Sequence, residues 1–203
     1  MDLISGKIAV RSVVQHLIIG LGVIFAMVCG SAPSVSDEFT DRRITAGARI
    51  FRALLAADRD IREKRGDNGK LKLGLVFLND TRGAEKAARV LGRGDNSRIR
   101  EISIRVEKIS FSEFLERKGR DFAAVFLTQP MGRKRIRQVG GLAAARKILV
   151  FSPFEGDVER GVAAGISVEA KVRPYLNLTA LENGGVSLKS FFMRVAKTYE
   201  TNP

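Results

Sequence analysis

The sequence predicts an α/β fold: an open, mostly parallel sheet flanked by helices on both faces, with a C-terminal hairpin or edge strands and a final amphipathic helix. Strand-like apolar runs alternate with helical apolar stripes through residues 71–152, the order typical of parallel sheets with crossover helices. The stretches 122–128 and 147–152 are continuously apolar apart from their end residues Thr128, Lys147 and Ser152, as expected of strands covered on both faces. A composition of 45% apolar and 28% charged residues is typical of a globular domain.

The first half of the chain predicts two helices and two strands. Apolar side chains recur at helical spacing within residues 37–61, and the charged, glycine-containing stretch 62–70 predicts a loop. Residues 71–78 alternate at first and then become continuously apolar, which predicts a strand. A narrow alanine and leucine stripe over residues 84–91 predicts a short helix. The clean alternation of residues 99–109 predicts a half-exposed strand near a sheet edge.

The middle of the chain continues this alternation. Ser110, followed three residues later by Glu113, forms a capping-box pattern that opens a helix before the strand at 122–128. A further helix precedes the strand at 147–152. The apolar face of that helix consists of Ile136, Val139, Leu142 and Ala143.

The alternation of strands and helices ends near the C-terminus. No helix separates residues 166–170 from residues 172–178, so they predict a hairpin or two adjoining strands. Pro174 has no N–H to donate, which indicates a sheet edge or a bulge. A turn at residues 183–185 then leads to a last helix, which Ser187 would cap. The buried stripe predicted for this helix consists of Leu188, Phe191, Phe192 and Val195.

Residues 1–36 have the layout of a secretory signal. Lys7 and Arg11 precede an apolar run at residues 17–28, and small residues follow it. This run is shorter than the roughly 20 apolar residues that a membrane-spanning helix needs. We therefore predict a cleaved signal peptide over residues 1–36 and a single domain over residues 37–203 in the periplasm. A retained inner-membrane anchor is the alternative.

The predicted domain lacks the side chains on which most catalysis depends. The single histidine, His16, and the single cysteine, Cys29, both lie in the predicted signal. We therefore predict that the domain is not an enzyme and binds neither a metal nor a cofactor. The alternative is a hydrolase with paired carboxylates, for which two of the acids near predicted strand ends would have to meet. These acids are Asp80, Asp121, Glu155 and Asp157.

Candidate binding residues come at the ends of the predicted strands. Ligands of open α/β sheets bind outside the carboxyl ends of the strands. The side chains predicted there are Asn79, Asp80, Gln129 and Ser152. Asn79, Asp80 and Thr81 also precede a helix, whose free N–H groups could hold an anion. The alternative is that Asp80 or Thr81 only caps this helix.

A second candidate contact is a basic cluster at the start of the helix before residues 147–152. It consists of Arg133, Lys134, Arg135 and Arg137. At this end the helix dipole disfavours each cation by about 0.3 to 1 kcal/mol, which favours an anionic partner or ligand as the reason for the cluster. A solvated basic face is the alternative. The net charge of +13 also suits an acidic partner, although we do not expect nucleic acid, because an exported domain seldom meets it.

The last third of the chain carries a distinctive pattern of residues. A K-V-R stretch leads into L-N-L, a glycine-rich turn follows, and the pattern ends in R-V-A-K. The matching residues are Lys171, Val172, Arg173, Asn177, Leu178, Ala180, Leu181, Gly184, Ser187, Leu188, Lys189, Ser190, Arg194, Val195 and Ala196. With this pattern and its order of elements over residues 40–198, the chain resembles the YfiR/HmsC family of exported bacterial proteins. It departs from the family in having no tryptophan and no cysteine pair.

The resemblance implies a periplasmic regulator that acts through protein contact. Its partner would be an inner-membrane diguanylate cyclase of the YfiN type, or a sensor kinase, bound through the partner's periplasmic portion. Such binding would lower cyclic di-GMP signalling and biofilm formation. The sequence leaves open whether the chain forms a homodimer. The alternative hypothesis is a small-ligand-binding sensor module that resembles half of a periplasmic binding protein, and a third is binding to nucleic acid or anionic lipid.

Overall fold

The fold is given by a computed structural model that describes residues 35–92 and 97–200. The described residues from 39 onward group by their contacts as one compact unit. The predicted signal, residues 1–36, lies outside the described residues except for its last two positions. Within the described ranges, no helix combines the length and apolar character needed to cross a membrane.

The described residues form eight strands and six helices. The strands are β1 (Leu71–Phe77), β2 (Arg98–Ile99), β3 (Ile102–Ser110), β4 (Ala124–Leu127), β5 (Leu149–Ser152), β6 (Ala164–Val168), β7 (Val172–Asn177) and β8 (Lys197–Tyr199). The helices are α1 (Val35–Ala57), α2 (Arg82–Gly92), α3 (Phe111–Glu116), α4 (Arg133–Arg146), α5 (Leu178–Asn183) and α6 (Ser190–Val195).

All eight strands belong to one sheet in the order β2-β3-β1-β4-β5-β6-β7-β8. The five strands from β3 to β6 are parallel to one another. At the two ends, β2 is antiparallel to β3, and β7 forms an antiparallel hairpin with β6 and then pairs with the parallel β8. The predicted open, mostly parallel sheet with a C-terminal hairpin is confirmed.

Helices cover both faces of the sheet, because alternate strand residues point to opposite sides. Leu73, Leu75 and Phe126 pack in one apolar cluster with residues of α1 and α2. Val76 and Val125 pack in a second cluster with residues of α3 and α4. The strands are therefore buried from both sides, as their uninterrupted apolar runs predict.

A three-ring aromatic cluster fixes the centre of the first face. Phe126 of β4 and Phe151 of β5 are direct cross-strand partners, and their rings stack with centroids 5.4 Å apart. Phe51 of α1 contacts both rings, at 5.6 and 5.5 Å. Such aromatic pairs add about 0.5 to 1.5 kcal/mol beyond the burial of their area. The two strands are thus held firmly where they approach the carboxyl edge of the sheet.

The first helix ends at Ala57 and not at residue 61 as its apolar period predicts. Asp58 forms an isolated antiparallel bridge with Leu188, which draws the backbone away from the helical path. The Asp58 carboxylate then accepts hydrogen bonds from the Asp60 N–H at 3.1 Å and the Lys64 ammonium at 2.7 Å. Ile61 remains buried within the turns that follow.

The prediction for the last helix is wrong in its start and for two of the four residues of its buried stripe. The helix begins at Ser190 and not directly after Ser187, because residues 187–189 pair with the backbone at the end of α1. The Ser187 carbonyl accepts a hydrogen bond from the Arg59 N–H at 2.8 Å, and the Lys189 N–H donates to the Ala57 carbonyl at 3.0 Å. Phe192 is buried. Its stripe partners Phe191 and Val195 are 52% and 56% exposed, and Leu188 is half-buried.

Two local predictions are confirmed by backbone geometry. The Ser110 hydroxyl accepts the Glu113 N–H at 3.2 Å and caps α3. Pro174 pairs with Ile166 of β6, whereas β8 joins β7 only from Tyr175 onward, so the proline lies where the second side of β7 has no partner strand. The predicted strand at 99–109 is divided by a turn between β2 and β3.

Candidate functional site

The strand order reverses between β1 and β4. The chain passes from β1 to β3 on one side and then crosses to β4 on the other, so the loops after β1 and β4 leave the sheet in opposite directions. In open α/β sheets, this point at the carboxyl edge is where ligand-binding crevices form. Asn79 and Asp80 follow β1 here, and Gln129 follows β4.

These three predicted residues are brought together by one side chain. The Gln129 Oε1 accepts hydrogen bonds from the N–H groups of Leu78, Asn79 and Asp80, at 2.6, 3.2 and 3.4 Å. The Gln129 Nε2 donates to the Asn79 Oδ1 at 3.0 Å. Consecutive N–H groups that converge on one oxygen form a concavity of the kind that binds anions. We call these three N–H groups the 78–80 nest.

Asp80 and Thr81 direct their side chains to the start of α2. The Asp80 carboxylate accepts hydrogen bonds from the Arg82 N–H at 2.9 Å and from the Arg82 Nε at 2.8 Å. The backbone hydrogen bond from Arg82, followed by the side-chain one, lowers the pKa of Asp80. The Thr81 hydroxyl donates to the Glu85 carboxylate at 3.1 Å. Both side chains thus bind groups of the helix that they precede.

Thr128 joins β1 and β4 at the switch point but carries no signal in the sequence. Its N–H and its hydroxyl both donate to the Val76 carbonyl, each at 2.9 Å, and the residue is buried. These bonds hold β1 and β4 together at the last position before their loops separate. Gln129 is the next residue, so its amide is positioned by this connection.

Ser152 does not line the crevice, because it is fully buried at the end of β5. Its hydroxyl donates to the Asp157 Oδ2 at 2.6 Å and accepts the Phe154 N–H at 3.2 Å. The Asp157 Oδ1 accepts a hydrogen bond from the Arg160 Nη2 at 2.6 Å. Burial raises the pKa of Asp157, against the effect of the hydrogen bonds from Ser152 and Arg160. We call these side chains the Ser152–Asp157–Arg160 network.

The acids near strand ends have different environments. Asp80 binds Arg82, and Asp157 belongs to the Ser152–Asp157–Arg160 network. Asp121 precedes β4 and therefore lies at the amino edge of the sheet, opposite Asp80. Glu155 is exposed. Within the described residues, no group of three or more His, Cys, Asp or Glu side chains could hold a metal ion.

The basic cluster forms the exposed start of α4, at the carboxyl edge beyond Gln129. All four side chains are exposed, and none forms an ion pair with another described residue. The Arg135 guanidinium lies 5.9 Å from the centroid of the Phe111 ring. Gly132 precedes the helix without a side-chain cap, and the first turn contains no acid. This end of α4 therefore presents positive charge and free N–H groups to solvent.

A hollow of about 190 Å³ lies at the same edge, between the β5–β6 connection and the β6–β7 hairpin. Its polar lining consists of Arg43, Glu155, Glu159, Ser167, Glu169, Tyr175 and Lys197. The Lys197 ammonium lies 5.2 Å from the centroid of the Tyr175 ring and 3.1 Å from the Glu169 carboxylate. Local sequence pattern does not join these residues, because β8 is a three-residue, mostly polar strand.

Comparisons with known proteins concern the fold alone. No family model matches the chain, and no curated protein sequence matches it. Three solved structures share its architecture at low sequence identity. They are an ABC domain in complex with L-Trp from Streptococcus pneumoniae (8% identity, TM-score 0.53), a conserved domain protein from Vibrio cholerae (11%, 0.53), and the ligand-free, open form of a substrate binding protein with adhesive properties from Clostridium difficile (12%, 0.51).

The matches cover 78%, 78% and 84% of this chain and 60%, 60% and 61% of the other chains. The chain therefore spans about three fifths of the length of these structures. Its fold is a mixed, mostly parallel α/β sheet with flanking helices, an architecture that these structures share.

Proposed function

We propose that this chain is a small-ligand-binding sensor module that resembles half of a periplasmic binding protein. The observation that carries the proposal is the convergence of Asn79, Asp80 and Gln129 at the point where the strand order reverses. These residues follow β1 and β4, and the carboxyl ends of those two strands adjoin where the strand order reverses, which is where open sheets bind ligands. Recognition by hydrogen bonding needs no catalytic side chain, in keeping with a module that is not an enzyme.

The similar structures support a binding role. One is described in complex with L-Trp, and another is described as a substrate binding protein. A ligand that contacts one lobe of a two-lobed receptor would use the edge at which strands β1, β4 and β5 end. The partly exposed Gln129 and the exposed Asn79 are accessible polar groups at the switch point.

A thermal-shift screen of the purified full chain tests this proposal. Amino acids, small carboxylates and phosphorylated metabolites are the first compounds to include. A ligand at 100 times its dissociation constant stabilises a protein by about 2.7 kcal/mol, which for a chain of this size raises Tm by about 5 to 10 °C. The variant Asn79→Ala should reduce the shift, whereas Asn68→Ala, in an exposed loop at the opposite edge, should leave it unchanged. If no compound of a broad library raised Tm, a binding role would be contradicted.

A second candidate is the regulator that the C-terminal resemblance implies. The observation that favours it is the basic cluster at the start of α4, whose cations find no carboxylate among the described residues. Phe191 and Val195 of α6 are large apolar side chains exposed within the stretch that carries the resemblance. An acidic partner surface would neutralise the first feature, and an apolar partner surface would cover the second. Charge complementarity of this kind mainly raises the association rate.

The second candidate predicts a membrane partner for an exported domain. A pull-down from inner-membrane extract should recover a diguanylate cyclase or a sensor kinase, and deletion of the gene should raise cyclic di-GMP. Recovery of neither protein, together with unchanged cyclic di-GMP, would remove this candidate. Mass spectrometry of the periplasmic fraction should find the chain without residues 1–36. An intact chain that begins at Met1 in the cytosol would contradict export.

A further inference from the structure

We propose that the 78–80 nest binds an anionic oxygen of the ligand, from a carboxylate or a phosphate group, and that Gln129 Oε1 occupies this position when no ligand is bound. This inference rests on the proposed ligand-binding function and names the chemical class that the crevice accepts. In the liganded state the Gln129 side chain would turn out of the nest, and the ligand oxygen would accept the same three N–H groups.

The geometry of the nest suits a charged acceptor better than the amide that fills it. Three donors converge on the single Gln129 Oε1, at 2.6 to 3.4 Å. The amide oxygen carries only a partial negative charge. Hydrogen bonds in which the acceptor is ionised are roughly twice as strong as those between neutral groups. A ligand anion therefore has a favourable exchange available at this position.

The Gln129 side chain is free to leave. The residue is partly exposed, and its only other side-chain hydrogen bond within the described part of the chain is to the exposed Asn79. Departure of the amide therefore breaks one exposed hydrogen bond to a side chain, and its Nε2 and Oε1 both gain water. The donors themselves belong to a loop that begins where β1 ends, and Thr128 holds that end of β1 against β4. The nest can keep its shape while its acceptor changes.

The charges around the crevice also favour an anion. The nearby Asp80 carboxylate is already matched by Arg82, with an Nε to Oδ2 distance of 2.8 Å. Arg133 and Lys134 begin α4 at the same edge, a few residues after Gln129, and form no ion pair with any residue that the structure describes. The ligand oxygen would bring the negative charge that these cations lack.

Chemical rescue tests the inference directly. In Gln129→Ala the nest loses its acceptor and a space opens at its mouth, so we expect Tm to fall by about 3 °C. Added acetate or phosphate should restore at least half of this loss, and sodium chloride at equal ionic strength should not. Rescue by acetate alone would identify the ligand group as a carboxylate, and rescue by phosphate alone would identify it as a phosphate. The control Gln138→Ala makes the same change on the exposed face of α4 and should show neither the loss nor the rescue.

The variant Gln129→Glu supplies the anion within the chain. Its carboxylate can occupy the nest, while the Asn79 amide turns to donate to it. We expect a Tm at or above that of the wild type and no response to acetate or phosphate at neutral pH. A Gln129→Glu protein less stable than the wild type would overturn the inference, even if Gln129→Ala proves unable to fold. Failure of both anions to restore Gln129→Ala beyond the effect of chloride would overturn it equally.

The test of the 78–80 nest can be distinguished from the test of the proposed ligand-binding function. A metabolite that stabilises the wild type and Gln129→Glu to the same degree would support a ligand-binding module and reject the nest as its site. Rescue of Gln129→Ala by acetate or phosphate, with no metabolite active on the wild type, would support the nest and contradict the sensor role.

Discussion

The two ends of the carboxyl edge are held together in different ways. At the switch point, the loops after β1 and β4 are joined by Gln129, a neutral and partly exposed amide. At the end of β5, the following loop is joined by Asp157, a fully buried carboxylate bound to Ser152 and Arg160. A neutral contact near solvent can exchange its partner at little cost, whereas a buried charge must keep its partner. The first end is therefore suited to binding and the second to holding the fold.

The largest effect is expected from crowding the β5–β6 end. Gly165 lies opposite Ser152, and a β-carbon at position 165 would stand 2.5 Å from the Ser152 carbonyl oxygen and 2.8 Å from the Val158 Cγ2. Because backbone must shift, we expect Gly165→Ala to lower the free energy of unfolding by about 3 kcal/mol. Urea denaturation measures this loss. The control Gly141→Ala has open space within its helix and should be neutral or stabilising, and equal losses in both variants would contradict a rigid β5–β6 end.

Removal of a charge from the Ser152–Asp157–Arg160 network should have the next largest effect. Arg160→Met leaves the buried Asp157 without its guanidinium, and because Arg160 is partly exposed we expect a loss of about 2 kcal/mol near neutral pH, below the values found for fully buried pairs. Denaturation of the variant and the wild type measures the difference. Arg137→Met, which removes an unpaired and exposed cation, should change stability by less than about 0.5 kcal/mol.

The same variant makes a prediction about pH. Burial already raises the pKa of Asp157 above its ordinary value of 3.8, and loss of Arg160 removes a contact that lowers it. The folded variant should then bind a proton at a higher pH than the unfolded chain. Its stability relative to the wild type is therefore greatest at acid pH and declines as pH rises through the folded pKa. A deficit that does not shrink on acidification would contradict a buried, ionised Asp157.

A smaller loss is expected at the switch point. Thr128→Val removes a buried hydroxyl that donates to the Val76 carbonyl but keeps the Thr128 N–H bond to the same oxygen. We expect a loss of about 1 kcal/mol, seen as a Tm lowered by about 2 to 4 °C. Thr45→Val, whose hydroxyl donates to the Asp41 carbonyl within α1, provides a helical comparison. A Thr128→Val protein with unchanged ligand response would show that the crevice does not depend on this connection.

The smallest change should be a gain. Arg133 and Lys134 stand at the positive end of α4, so Arg133→Glu or Lys134→Glu should stabilise the fold by about 0.5 kcal/mol. The same variants should weaken binding of an anionic ligand or an acidic partner. Thermal denaturation and a binding assay with the same preparations separate the two effects. Stability and binding that both remain unchanged would identify the basic cluster as a plain solvated face.

The sequence predicts the central sheet well because burial on both faces leaves a strong local signal. The apolar runs that become β1, β4 and β5 need no information from the rest of the chain. The C-terminal errors have a different origin. Residues 187–189 pair with the end of α1, more than 100 positions away, and β8 is a short, polar strand that exists because β7 offers it an edge. Neither partner can be recognised from local pattern.

The candidate site divides in the same way. Strand ends and the rule for open sheets predict that Asn79, Asp80 and Gln129 share an edge. The Gln129 side chain accepts hydrogen bonds from N–H groups about 50 positions earlier in the chain. These bonds depend on the register of β1 and β4, which the sequence does not define. Ser152 is the last residue of β5 and so also lies at a strand end, yet it is buried, because Asp157 and Phe154 fold back over it.

An NMR titration with acetate tests the binding role of the switch point most directly. The backbone amide signals of Leu78, Asn79 and Asp80 should move together and saturate, while the amide of Phe154, which donates to the buried Ser152 hydroxyl, should stay fixed. The assignment would be contradicted if the Phe154 signal moved while those of residues 78–80 did not. It would also be contradicted if an anion stabilised the protein without shifting the amide signals of residues 78–80.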